Sequence, residues 1–320
     1  MNKINENFVG LYKRWSSGRI REEDINNIKN VIEELGIDEY TINKDYTVDV
    51  NGDVRIKDQH LKNGKLPIRF GKVIGYFDCS YCENLTSLEG APKEVGGYFN
   101  CHSCVSIQSL DGAPEKVGRD FNCCCCENLL SLKEAPKEVG GNFYCEDCEN
   151  LTSLKGAPEE IGKNFSCSSC ENLTSLEGAP KEVGGNFNCW SCSKLESLEG
   201  APKEIDGNFY CYDCKNLTSL KGAPKEVGGD FSCNSCTNLE SLKGAPKEIG
   251  GSFSCSECNN LISLEEAPEK IGRNFYCSKC KKLTSLEGAP KKVGGDFVCL
   301  NCPKTSHEGA PKEVGGKFFW

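Results

Sequence analysis

Of 320 residues, 47 are Asp or Glu and 38 are Lys or Arg, a formal charge of −9 that offers a nucleic-acid backbone no basic surface. Thirty-four Gly, 13 Pro and 24 Cys against one Met and three His is not the composition of an ordinary pair of enzyme domains and points to a repeat. No run of 18 apolar residues occurs, and the opening MNKINENFVGLYKRW lacks the apolar segment and small-residue cleavage site of a secretory signal, so a cytoplasmic protein without a membrane or nucleic-acid partner is expected.

Residues 1–45 are expected to form a helical N-terminal cap. Phe8, Leu11, Tyr12 and Trp15 predict a short first helix. In EEDINNIKNVIEELG, Ile25, Ile28, Ile32 and Leu35 recur at helical spacing, acidic residues fill the first turn and Gly36 supplies a stop. Residues 46–76 are expected to form a hairpin and a degenerate cap turn. The Asn51–Gly52 pair in YTVDVNGDVRI separates two alternating runs. Val54–Leu61 then fits the repeat below with one extra residue before Phe77, placing Ile56 and Gln59 where cysteines stand later.

From Phe77 to Cys302 the chain repeats every 22 residues without insertion, as F-x-C-x-x-C-x-x-L-x-S-L-x-G-A-P-x-x-V-G-x-x. The first cysteines are Cys79, Cys101, Cys123, Cys145, Cys167, Cys189, Cys211, Cys233, Cys255, Cys277 and Cys299. Their partners, three residues on, are Cys82, Cys104, Cys126, Cys148, Cys170, Cys192, Cys214, Cys236, Cys258, Cys280 and Cys302. Cys124 and Cys125 fall at variable positions. The Gly-Ala-Pro or Glu-Ala-Pro segment excludes a long helix, because Pro fixes φ and lacks an N–H. The alternation of G-x-F-x-C predicts one short strand per turn. The expected fold is therefore a mainly β repeat solenoid over 77–320, eleven turns plus a partial one, with parallel strands about 4.8 Å apart and a length of roughly 50 Å. After Pro303 one residue is lost, and Phe318 and Trp320 take the phenylalanine and first-cysteine slots. The C-terminal edge is then open to self-association.

F-x-C-x-x-C-x-x-L-x-S-L resembles the leucine-rich-repeat pattern, and LTSLEGAP is similar to the LTSLP-type segment of bacterial leucine-rich repeats. The array over residues 54–320 also resembles the tandem LTSLEGAPKEVGG arrays of phage-encoded and bacterial proteins. The resemblance implies a solenoid fold and no activity. Cys stands where that family has its ladder asparagine, whose side chain bonds backbone groups of neighbouring turns.

Both members of each CxxC are expected to point inward, stacking into two columns of thiols. These have three readings. Cys is a small, habitually buried hydrophobe and fills a slot beside the phenylalanines. Alternatively, two adjacent turns supply four thiolates to zinc or an iron–sulfur cluster, making an array for metal storage or electron transfer. Disulfides between turns also fit the stacking distance, though a cytosolic chain disfavours them.

Variation between repeats concentrates around each strand, before Phe, between Phe and Cys, and after Cys. Tyr98, His102, Tyr144, Trp190, Tyr210, Tyr212 and Tyr276 lie there, the residue types of interface anchors. Aromatic residues also suit exposed strands for their β-propensity, and the three-turn spacing of Tyr144, Tyr210 and Tyr276 is equally what duplication of a larger unit leaves. His60, His102 and His307 are scattered and no phosphate loop or nucleophile motif appears, so no enzyme is expected. The Ser column from Ser87 to Ser285 is expected to bond backbone. The sequence reads best as a non-enzymatic binding or scaffold protein that meets a protein partner on its strand face, with the metal-thiolate array as the alternative.

Overall fold

The computed structural model describes residues 22–303 and 308–320. The helix expected around Phe8–Trp15 and His307 lie outside the described residues. Helix α1 spans Glu22–Glu34 and buries Ile28, Val31 and Ile32, the stripe its periodicity marks out. It ends as the sequence indicates. Gly36 takes φ +65°, its N–H bonds Glu33 O, and the Ile37 N–H bonds Ile32 O, so the last carbonyls are satisfied and Ile37 folds back into the core.

The capping hairpin lies upstream of the Asn-Gly pair. Strand β1 (Tyr40–Ile42) pairs antiparallel with β2 (Val48–Val50) around a turn in which Asp45 accepts bonds from Thr47 N and Oγ1. Asn51–Gly52 instead turns a corner between sheets. Beyond it, β3 (Val54–Arg55) pairs in parallel with Phe77–Asp78 and founds a different sheet. The helical cap therefore gives way to strand by Tyr40, and the hairpin expected around Asn51–Gly52 is not formed.

The rest is a parallel β-solenoid in which each 22-residue turn stacks in register on the last, phenylalanine on phenylalanine. Besides the expected strand at Phe, each turn carries a second two-residue strand at Glu/Lys–Val/Ile, as at Glu94–Val95. The Phe strands join β3 in one 13-stranded sheet that ends at Phe318–Phe319. The Val/Ile strands form an 8-stranded sheet, extended by β1 and β2, that ends at Glu182–Val183, and a 6-stranded sheet that begins at Glu204–Ile205. The Leu-x-Ser-Leu side of each turn is held by turns. Ser87, Ser109, Ser153, Ser175, Ser197 and Ser285 accept the N–H two residues on, as expected of backbone-bonding serines.

Columns of Phe, Cys, Cys, Leu, Leu and Val/Ile fill the interior. The phenylalanine rings from Phe77 to Phe318 stack at 5.0–5.5 Å between centroids. At the capping turn, Val54 stands in the phenylalanine column and Ile56 in the first cysteine slot, both buried. Gln59 does not occupy the second slot. The extra residue is taken up by a 3-10 turn over Asp58–His60, which turns Gln59 to solvent.

The interruption between the 8- and 6-stranded sheets has a local cause. From Gly96 to Gly315, the residue after the Val or Ile is in every turn but one a glycine whose N–H bonds the Val/Ile carbonyl of the preceding turn at 2.8–3.1 Å. A Cβ there would sit 2.3 Å from the carbonyl oxygen of the glycine below, as at Gly118 over Gly96. Position 206 is Asp. Its bond to Val183 is the one missing from the column among the described residues, and the sheet breaks at that step.

Candidate functional site

A strand alternates faces with period two, so residues three apart should face opposite ways. The CxxC segment escapes this because the residue before the second cysteine, from Tyr81 to Asn301, takes φ between +53° and +63°. That left-handed step resets the alternation and turns both thiols inward. All the paired cysteines are buried except Cys302, which is half-buried, and every one of the 24 is a free thiol.

The second cysteine of each turn is a hydrogen-bond donor. From Cys104 to Cys302, its Sγ–H points at the backbone oxygen of the first cysteine in the preceding turn, at 3.1–3.3 Å. The column begins at Cys82, which reaches Ile56 O at 3.6 Å. Several first cysteines add longer contacts, such as Cys167 Sγ to Asn188 O at 3.6 Å. A thiolate in these positions would face a carbonyl oxygen with nothing to donate. Burial pushes the Cys145, Cys189 and Cys255 thiols well above their ordinary value of 9.0, and a hydrogen bond with Cys104, then burial, does the same for Cys79. Cys82 is pushed up to about 12 by burial.

The candidate ligands Cys79 to Cys302 are therefore not arranged as ligands. Among the described residues, no three Cys, His, Asp or Glu side chains converge where they could hold a metal ion. As arranged, the second thiol of each turn donates to a backbone oxygen and does not converge with its neighbours on one point, as a tetrahedral zinc site requires. Cys124 and Cys125 stand apart from the columns. Cys124 Sγ accepts the Glu146 N–H at 3.3 Å, and burial raises both thiols.

A second ladder runs outside, just before each phenylalanine, and the sequence reading missed it. Asn164, Asn186, Asn208 and Asp230 N–H groups are taken in turn by the side-chain oxygens of Asn142, Asn164, Asn186 and Asn208 at 2.6–3.1 Å. Asp230 continues the chain to Ser252 N, and Asn274 to Asp296 N. The signal was visible as an Asn/Asp-rich column, but its role rests on a backbone N–H that the strand pairing leaves unclaimed.

The aromatic candidates all lie half-buried on this outer strand face. Trp190 and Tyr212, in neighbouring turns, stack at 5.5 Å with planes 3° apart, and Tyr210 lies 6.3 Å from Tyr212. Ser166 and Ser168, flanked in the adjacent turns by Tyr144 and Trp190, are fully buried and bond each other at 3.2 Å. Near the N-terminal end, Tyr76 and Tyr98 stack at 4.7 Å with Arg55 over Tyr76, and His102 meets the edge of Tyr81 at 5.2 Å. Tyr276 stands apart, its hydroxyl accepting from Asn274 Nδ2. The face thus has three aromatic stations with polar stretches between them.

No family model, no curated protein and no solved structure matches this chain. Among the described residues no helix is long and apolar enough to cross a membrane.

Proposed function

We propose that the protein is a non-enzymatic binding or scaffold module that meets a protein partner with its outer strand face, at the ridge built by Trp190 and Tyr212. The observation that carries this is the ridge itself: two large aromatic rings stacked in register beside sealed serines of the preceding turn, on a face whose backbone is already paired in the sheet. Rigid, half-exposed Trp and Tyr present contact area at little entropic cost on binding. The leucine-rich-repeat resemblance supports the same use of a solenoid face. Free thiols throughout the interior favour a reducing, cytoplasmic setting. Of the described histidines, His60 Nδ1 accepts the Lys57 N–H and His102 packs on Tyr81.

The test is affinity capture with wild type and with the W190A/Y212A double variant, followed by titration of whichever protein is captured. Both side chains point outward, so the variant should fold normally. The expected result is a loss of affinity of about 2–4 kcal/mol, the range of a paired aromatic hot spot. Unchanged capture of every wild-type partner would count against the reading.

A further inference from the structure

Between Tyr210 and Tyr276 the outer face opens into a trough of about 540 Å³. In register, the column runs Tyr210, Ser232, Ser254, Tyr276, so two rings stand three strand spacings apart, roughly 14 Å at about 4.8 Å each. Hydroxyl, amide and carboxylate groups make the floor: Ser232, Ser254, Ser256, Asn234 and Asp230. Phe231 lies beneath them and is fully buried, so polar side chains make most of the floor and the tyrosines stand at its ends.

The equivalent stretch one unit earlier acts as an internal control. Between Tyr144 and Tyr210 the same column holds Ser166 and Asn188, and there Ser166 is fully buried and bonded to Ser168. In the trough, by contrast, Ser232 and Ser254 stay half-exposed. Several polar atoms remain unspent. Asn234 Oδ1 receives Ser254 Oγ at 2.5 Å and Ser256 N at 2.9 Å, which leaves its amide N–H pair as donors. Asp230 Oδ1 receives Ser252 N, which leaves its other oxygen as an acceptor. Ser232 Oγ has no hydrogen-bond partner among the described residues.

We propose that this trough is a binding subsite for a neutral saccharide. Aromatic faces at both ends suit the C–H faces of pyranose rings, and a floor of mixed donors and acceptors suits their hydroxyls. Charge excludes the alternatives. No Lys or Arg lines the trough and Asp230 is its one charged group, so phosphate, sulfate and uronate ligands are disfavoured. The proposal rests on the strand face being a binding surface but not on the protein partner of the Trp190–Tyr212 ridge.

The experiment titrates the full chain with cellohexaose, maltohexaose, laminarihexaose, mannohexaose and chitohexaose, by calorimetry and by saturation-transfer NMR. At least one is expected to bind saturably and to receive saturation from tyrosine ring protons. Binding should fall by about tenfold or more in Y276A, and equally in S254W, which fills the trough without removing a wall, while W190A/Y212A stays within about twofold of wild type. Both trough side chains point outward, and unchanged far-UV dichroism and melting confirm each variant's fold. Absence of saturable binding at millimolar sugar, binding that survives both trough variants, or occupation of the trough by a proline-rich decapeptide in place of sugar would overturn the proposal. If sugar fails while W190A/Y212A still loses its protein partner, the subsite is wrong and the strand-face reading stands; if sugar binds while partner capture is unchanged, the reverse holds.

Discussion

At the residue scale, the second cysteine of each turn both fills the interior and donates to a backbone oxygen of the turn before. Cys192 Sγ lies 3.2 Å from Cys167 O in a fully buried setting, so C192A removes both a donor and the sulfur's packing. We expect it to cost about 1–3 kcal/mol, with C192S costing less than C192V because serine keeps a donor. Urea midpoints of the three variants check this order; C192V as stable as wild type would mean that packing alone matters. That both cysteines face inward was readable from the repeat. The left-handed residue that makes it so was not, because it is Tyr, Ser, Cys, Asp, Glu, Lys or Asn by turn and carries no glycine signature. Gln59 was misplaced because a 3-10 turn absorbs the extra residue of the capping turn.

At the element scale, the parallel sheets depend on glycines whose missing Cβ lets successive turns approach. Asp206 is the exception, and it stands where one sheet divides in two. D206G should restore the bond to Val183 O and join the sheets, stabilising the protein by about 1 kcal/mol and slowing amide exchange at position 206. G162D should open a second break in the longer sheet. Exchange at 206 that is already slow in wild type would contradict the account. In the outer ladder, Asn186 Oδ1 accepts the Asn208 N–H at 2.8 Å, so N186A should cost about 1–2 kcal/mol and N186D nearly nothing. The Val/Ile strands escaped the sequence reading because a two-residue strand with one inward side chain shows no period. Asn51–Gly52 misled because an Asn-Gly corner looks alike whether the following strand returns to the same sheet or starts another.

At the scale of the whole molecule, each turn touches its neighbours alone, and stability accumulates along the stack. The Lys–Glu pairs between turns, such as Lys221–Glu199 at 2.8 Å, are largely exposed and add little. The buried thiols matter more. Those with a raised folded pKa, such as Cys79, Cys145, Cys189 and Cys255, stay protonated when their unfolded counterparts ionise as pH climbs, so the folded state then holds more protons. Stability from this source is complete below about pH 9, the ordinary thiol value, and is lost above it, by up to about 1.4 kcal/mol per pH unit for each thiol still protonated in the fold. Melting temperature should therefore fall steeply between about pH 9 and 11, and a flat profile there would show that these thiols do not stay protonated in the fold. The solenoid, its period and its inward columns were legible because the repeat imposes them eleven times. The aromatic ridge and the trough were legible only as residue types, since their stacking and depth depend on which neighbours happen to be serine.

The most direct test of the account is elemental analysis with a thiol titration on protein purified without oxygen or chelator. The account predicts stoichiometric metal at background, few thiols reactive in the native state, Cys125 and the half-buried Cys302 first, and all 24 on unfolding. Several equivalents of zinc, or of iron with sulfide, together with thiols masked until the metal is removed, would contradict it and make the cysteine columns a metal array.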